Sequence, residues 1–60
     1  MAENKWVVML TRYRMENRLS MRNIAKKVYC QPATIWRWEK GFSDPNQYHT
    51  WHIKKLLGYL

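Results

Sequence analysis

The segment "SMRNIAKKVYCQPATIWRWEKG", Ser20 to Gly41, holds two short helical patterns with one break between them. Ser20 is a strong N-cap, and Met21, Ile24, Ala25 and Val28 recur on one face, so a helix is predicted over 21–28. Gln31 followed by Pro32 reads as a second cap, with proline at the first helical position where its missing N–H costs nothing. This second helix runs to about Lys40, and Gly41 stands where a left-handed residue ends it. Trp36 and Trp38 then lie about 200° apart on the helix. Trp38 follows Ile35 by three residues, on the same face. It is predicted to be the inner tryptophan, packed against Ile24, Val28 and a helix upstream. Trp36 is predicted to point outward with Ala33, Arg37 and Lys40. Its other reading is a half-core residue packed on Tyr48 or on the 42–45 turn. Ala25 precedes the turn residue Tyr29 by four, and Ile35 and Trp38 follow Ala25 by ten and thirteen. A small residue at the crossing, a tight turn and two apolar anchors make the spacing of a helix-turn-helix.

The flanks extend the helical reading. Trp6, Leu10, Tyr13 and Asn17 fall near helical spacing with Met9 beside them, which predicts a first helix over 4–16. Residues 42–45 read as a turn. A fourth helix is predicted over 46–57 with Ile53, Leu56 and Leu57 inward, stopped by Gly58. No segment alternates with period two, so no strand is expected. The expected fold is all-α: one compact four-helix domain over 1–60, with a central helix-turn-helix at about 20–41. A 60-residue chain buries only about 60% of its unfolded surface. Four tryptophans, four tyrosines and one phenylalanine supply large core groups.

Charge narrows the function. Eleven Lys and Arg against four Asp and Glu leave +7, a balance that favours a polyanion, nucleic acid ahead of an anionic membrane. Cys30 is the only cysteine, so no internal disulfide forms, which fits a reducing compartment. No apolar run approaches the roughly 20 residues of a membrane span, and no charged-then-apolar start marks a signal peptide. The expected location is cytoplasmic and nucleoid-associated. A membrane-active peptide needs one continuous amphipathic helix, and Pro32, Gly41 and Pro45 interrupt the chain. No acid pair, nucleophile triad or phosphate-binding glycine loop is present, so no enzyme is expected. His49 and His52 are i, i+3, but Cys30 is distant in sequence and no further ligand pair is in view. No metal or cofactor is expected.

At "LSMRNIAKKVYCQPATIWRWEKGFSDP", Leu19 to Pro45, the chain resembles the Cro/C1-type helix-turn-helix family of phage repressors, Cro proteins and small bacterial regulators. The matching pieces are Leu19-Ser20, Ile24-Ala25, Pro32-Ala33-Thr34-Ile35, Trp38-Glu39, Gly41 and Pro45, with a fainter match at Arg14, Ile53 and Leu57. The resemblance implies a lambda-repressor-like domain whose second motif helix enters the DNA major groove. It puts base contacts at Pro32, Ala33, Trp36 and Arg37, and a phosphate contact at Thr34. It also implies that Arg14 pairs with Glu39 to pin the first helix to the third. Three positions depart from the family pattern. Tyr29 stands where glycine is usual, so the turn is expected to be distorted or longer. Cys30 fills an apolar anchor position, where a buried small hydrophobe is expected. Met21 replaces the usual glutamine, so that phosphate contact is lost.

The side chains have their own chemistry. The Arg37 fork can donate twice to guanine O6 and N7, worth about 1–3 kcal/mol of discrimination; bound to phosphate instead, it carries no sequence information. Ala33 can touch a thymine methyl. Trp36 can cover thymine methyls or lie along the sugar-phosphate wall. Ser20 and the N–H groups behind it can hold a phosphate at a positive helix end, with Arg18 and Arg22 nearby. Lys40, Ser43 and Asn46 border the other end of the reading helix. One helix reads few base pairs, and relatives act as two-fold dimers. A weak homodimer on a palindromic operator is expected, with Trp51, Leu56, Tyr59 and Leu60 as contact candidates. The expected function is a sequence-specific transcriptional regulator of double-stranded DNA, of phage or mobile-element type. The alternative is a protein–protein or RNA-binding adaptor that reuses the fold.

Overall fold

A computed structural model of the chain describes residues 4–60. Four helices follow one another, α1 (Lys5–Glu16), α2 (Met21–Val28), α3 (Pro32–Lys40) and α4 (Gln47–Leu56), and no strand occurs among the described residues. Side chains cap three of the starts. Asn4 Oδ1 accepts from the N–H groups of Trp6 at 2.9 Å and Val7 at 3.3 Å. Ser20 Oγ accepts from Asn23 N–H at 3.0 Å, and Asn46 Oδ1 from His49 N–H at 2.9 Å. Each satisfies a donor the helix itself leaves open, worth about 1 kcal/mol. Gln31 is the N-cap of α3, as expected, but without a capping bond from its side chain. Pro32 makes it dispensable by removing one open donor, and the Gln31 carbonyl accepts from Thr34 N–H at 2.9 Å.

All four helices end the same way. A residue with positive φ follows the last turn: Arg18 (53°), Tyr29 (62°), Gly41 (81°) and Gly58 (89°). The next N–H donates to the carbonyl five residues back, Leu19 to Arg14 at 2.9 Å, Cys30 to Ala25 at 3.0 Å, Phe42 to Arg37 at 2.9 Å and Tyr59 to Lys54 at 2.8 Å. This is the 6→1 bond of a Schellman ending, whose outer residue is often apolar and folds back on the helix. Gly41 and Gly58 take the conformation freely, whereas Arg18 and Tyr29 each accept it at a cost of about 1 kcal/mol. The α2–α3 turn is therefore neither distorted nor longer, contrary to expectation. Tyr29 adopts the glycine conformation, and Cys30 and Gln31 alone separate it from α3.

The core is Val7, Leu10, Ile24, Ala25, Val28, Ile35, Trp38 and Ile53. α2 packs on α3 and α4, and α1 closes the other side against the same two helices. The inner face of α1 differs from the expected stripe. Val7 and Leu10 are buried, Trp6 and Tyr13 lie half-buried at the flanks, and Asn17 is exposed beyond the helix. Partners from elsewhere hold Trp6 at the edge. The Tyr59 ring meets it edge-on at 5.2 Å, and the Lys5 and Lys54 ammonium groups lie over it at 5.2 and 5.0 Å. In α4 Ile53 is fully buried, while Leu56 and Leu57 pack against the core half-exposed.

Candidate nucleic-acid interface

α3 is seated by two side chains. Ile35 is fully buried and Trp38 is 5% exposed, so the opposite face looks outward. Pro32, Ala33, Trp36, Arg37 and Lys40 are all exposed on that face. Trp36 is 43% exposed and stacks on Phe42, ring centroids 5.6 Å apart at 24°. Both readings of Trp36 thus hold in part: it faces solvent, and it leans on the 42–45 turn through Phe42 rather than on Tyr48. Phe42, itself 72% exposed, is expected from the sequence only as a turn residue, not as an exposed ring beside Trp36. Its signal is the Schellman ending at Gly41, because the residue after the left-handed position often contacts the residue six before it.

Arg14 ties this helix to the rest. Its Nε donates to Glu39 Oε2 at 2.8 Å and its Nη2 to Glu39 Oε1 at 3.0 Å, a two-pronged pair with both side chains mostly buried. Its Nη1 also donates to the Leu19 carbonyl at 3.4 Å. One guanidinium therefore touches both the residue before the Ser20 cap and the end of α3. The carboxylate of Glu39 is neutralised there, leaving Arg37 and Lys40 as the charges α3 presents.

Around that junction Arg18, Ser20 and Arg22 are exposed. Ser20 Oγ accepts the capping bond, and its hydroxyl proton can still be donated outward. Asn46 spends Oδ1 on its cap and keeps an amide N–H₂ as donor. Thr34 is half-buried beside Ile35, and Ser43 is exposed. Next to Ser43 lies the exposed carboxylate of Asp44, which opposes an anion at that spot and weakens Ser43 and Asn46 as phosphate contacts. Sequence reading overlooked it because turn residues have no periodicity to place them.

The four dimer candidates do not form one patch. Trp51 and Leu56 line a cleft with Tyr29, whereas Tyr59 sits on Trp6 and lines a groove with Met9, Tyr13 and Leu57. Leu60 is exposed beside Tyr59. Cys30 is only half-buried, less than expected of a core anchor, and burial pushes its thiol up, which keeps it protonated. Among the described residues no three His, Cys, Asp or Glu side chains cluster as metal ligands. No helix among the described residues is long and apolar enough to cross a membrane. Fold and exposed face together define a small all-helical domain built on a helix-turn-helix. No family model matches the chain, and neither a curated protein nor a solved structure matches it.

Proposed function

We propose that the protein is a sequence-specific regulator that binds double-stranded DNA with α3 in the major groove. The observation that carries this reading is the face of α3. Ile35 and Trp38 lock the helix from behind, and Pro32, Ala33, Trp36, Arg37 and Lys40 stand free in front. The resemblance to Cro/C1-type regulators and the charge of +7 support it. Arg37 reads guanine. Trp36 and Phe42 form a flat apolar wall against thymine methyls or the deoxyribose edge. Arg18, Ser20, Arg22, Thr34 and Lys40 hold phosphates and set the register.

Two copies on a palindromic operator supply the site length that one helix lacks. The groove between α1 and Tyr59 is the better self-contact. Arg12 and Glu16 line it together with Met9, Tyr13, Leu57 and Tyr59, so a two-fold partner finds both signs of charge. Selection from randomised duplex DNA tests the reading. The expected result is a recovered site with two-fold symmetry, whose affinity falls steeply with salt. Arg37→Ala is expected to relax one base position by about 1–3 kcal/mol, whereas Arg22→Ala weakens all sequences alike. A protein adaptor would show neither sequence preference nor steep salt dependence.

A further inference from the structure

A second surface lies at the far end of α2 from Ser20. Lys27, Tyr29, Trp51, His52, Lys55 and Leu56 line an open cleft of about 180 Å³ between that end and α4. Its aromatic wall is organised around His52. The rings of Tyr29, Tyr48 and Trp51 meet the His52 ring edge-on at 4.6, 4.6 and 5.0 Å. Tyr29 is 65% exposed and Trp51 47% exposed. Tyr29 places its ring there from a left-handed backbone, and a glycine at that position would leave the wall incomplete. Neither α2 nor α4 contains an acidic residue, while Lys26, Lys27, Lys54 and Lys55 all belong to their last turns.

We infer that this cleft docks an acidic protein segment, taking one large apolar side chain of the partner between Trp51 and Tyr29 and pairing flanking carboxylates with Lys27 and Lys55. Three observations select that occupant. Size is the first: pockets for whole small molecules run to roughly 300–1,000 Å³, so this cleft fits a single anchoring side chain. Ring access is the second. Successive bases need a run of free ring faces, which is missing because the Lys55 ammonium lies over one face of Trp51 at 5.0 Å and His52 meets Trp51 and Tyr29 edge-on, whereas a single side chain needs only the gap along the ring edges. Charge is the third. A second copy of this chain would place the same lysines against themselves, because a two-fold contact pairs a patch with its own image. Exposed tryptophan and tyrosine ringed by one sign of charge are the usual anchors of a protein interface.

The test uses the full chain and blocked twelve-residue peptides rich in Asp and Glu with one central Trp, Phe or Leu. Binding is followed by calorimetry at moderate salt. The expected result is binding that weakens about tenfold when the central residue is Ala, and as much again in Trp51→Ala or Lys27→Glu/Lys55→Glu. Those variants keep their melting temperature, and Trp51→Ala, which leaves the charge unchanged, keeps its affinity for the selected DNA duplex. The charge-reversed variant is expected to bind Lys-rich peptides with the same apolar anchor instead. The inference is overturned if acidic peptides do not bind. It is equally overturned if their binding ignores the central side chain and Trp51, or if a twelve-nucleotide single strand competes for Trp51 better than any peptide. Each outcome is independent of whether α3 reads duplex DNA.

Discussion

Two tryptophans two residues apart have opposite duties. Trp38 is buried between Ile24, Val28 and Ile35 as part of one core, and its ring lies 5.4 Å from that of His49. Trp38→Ala is expected to cost about 3–5 kcal/mol, close to the whole stability of so small a domain. Trp36 touches Phe42 at the surface, so Trp36→Ala loses only an exposed ring stack of about 0.5–1 kcal/mol. Thermal melts of the two variants separate the duties: Trp38→Ala unfolds at room temperature, while Trp36→Ala melts within a few degrees of the parent but binds DNA poorly. Equal destabilisation would put Trp36 in the core. Arg18 offers a second measurement at this scale. Its φ of 53° is one that glycine adopts freely, so Arg18→Gly is expected to stabilise by about 0.5–1 kcal/mol. For a domain of this size that raises Tm by roughly 2–8 °C. In the proposed binding mode the same change would remove a phosphate contact, so DNA affinity is expected to fall as the melt improves. A lower Tm would show that the Arg18 side chain holds the turn by contacts of its own.

Between elements, the pair Arg14–Glu39 is the tie that fixes where α3 points. Both side chains are mostly buried, and Arg14 also serves the Leu19 carbonyl. Removing one partner strands the other charge, so Glu39→Ala is expected to cost about 2–3 kcal/mol. Arg14→Met with Glu39→Leu removes both charges and restores much of that loss. A double-mutant cycle measures the coupling, and strictly additive costs would mean that the two charges act separately. Helix ends were legible in the sequence because their chemistry is local: Ser20, Pro32 and Gly41 each carry their own instruction. The inward face of α2 and α3 was legible too, since Ile24, Val28, Ile35 and Trp38 keep one period. α1 was not. Trp6 and Val7 compete for its inner face, and the winner depends on Tyr59 and Lys54, more than forty residues away. Arg18 hid its turn role because it is not glycine, and Tyr29, placed at the turn by its spacing, gave no sign that it would take the left-handed conformation without distorting the turn. On the candidate interface, exposure at Ala33, Trp36, Arg37 and Lys40 followed from the position of Ile35. Phe42 and Asp44 did not, because a turn offers no period from which to infer direction.

At the scale of the whole molecule, charge is divided unevenly, and that division sorts the surfaces. The ends of α2 and α4 carry only lysines, and such a face repels its own image. The α1 groove carries Arg12 and Glu16, four residues apart and both exposed. Among the described residues they form no ion pair with each other, since Arg14–Glu39 is the one pair within 4.0 Å. Neither has an ion-pair partner among the described residues. In a two-fold contact residue i meets j and j meets i, so in the proposed dimer a pairing of Arg12 with the Glu16 of the other copy would occur twice. The apolar part is small, with Met9, Leu57, Tyr59 and Leu60. A free-solution affinity in the micromolar range or weaker is expected, on the order of −8 kcal/mol or less favourable. Dimers are then expected chiefly on the proposed operator. Sedimentation with and without the selected duplex measures this directly. Arg12→Glu is expected to abolish pairing on DNA, because four carboxylates then meet. Glu16→Arg does the same with four cations. The combined swap, Arg12→Glu with Glu16→Arg, restores pairing with itself, since each copy again offers both signs. If the double swap stays monomeric on a site that the parent occupies in pairs, the contact lies elsewhere. If the parent binds one copy per site and the selected sequence lacks symmetry, the protein reads its operator alone.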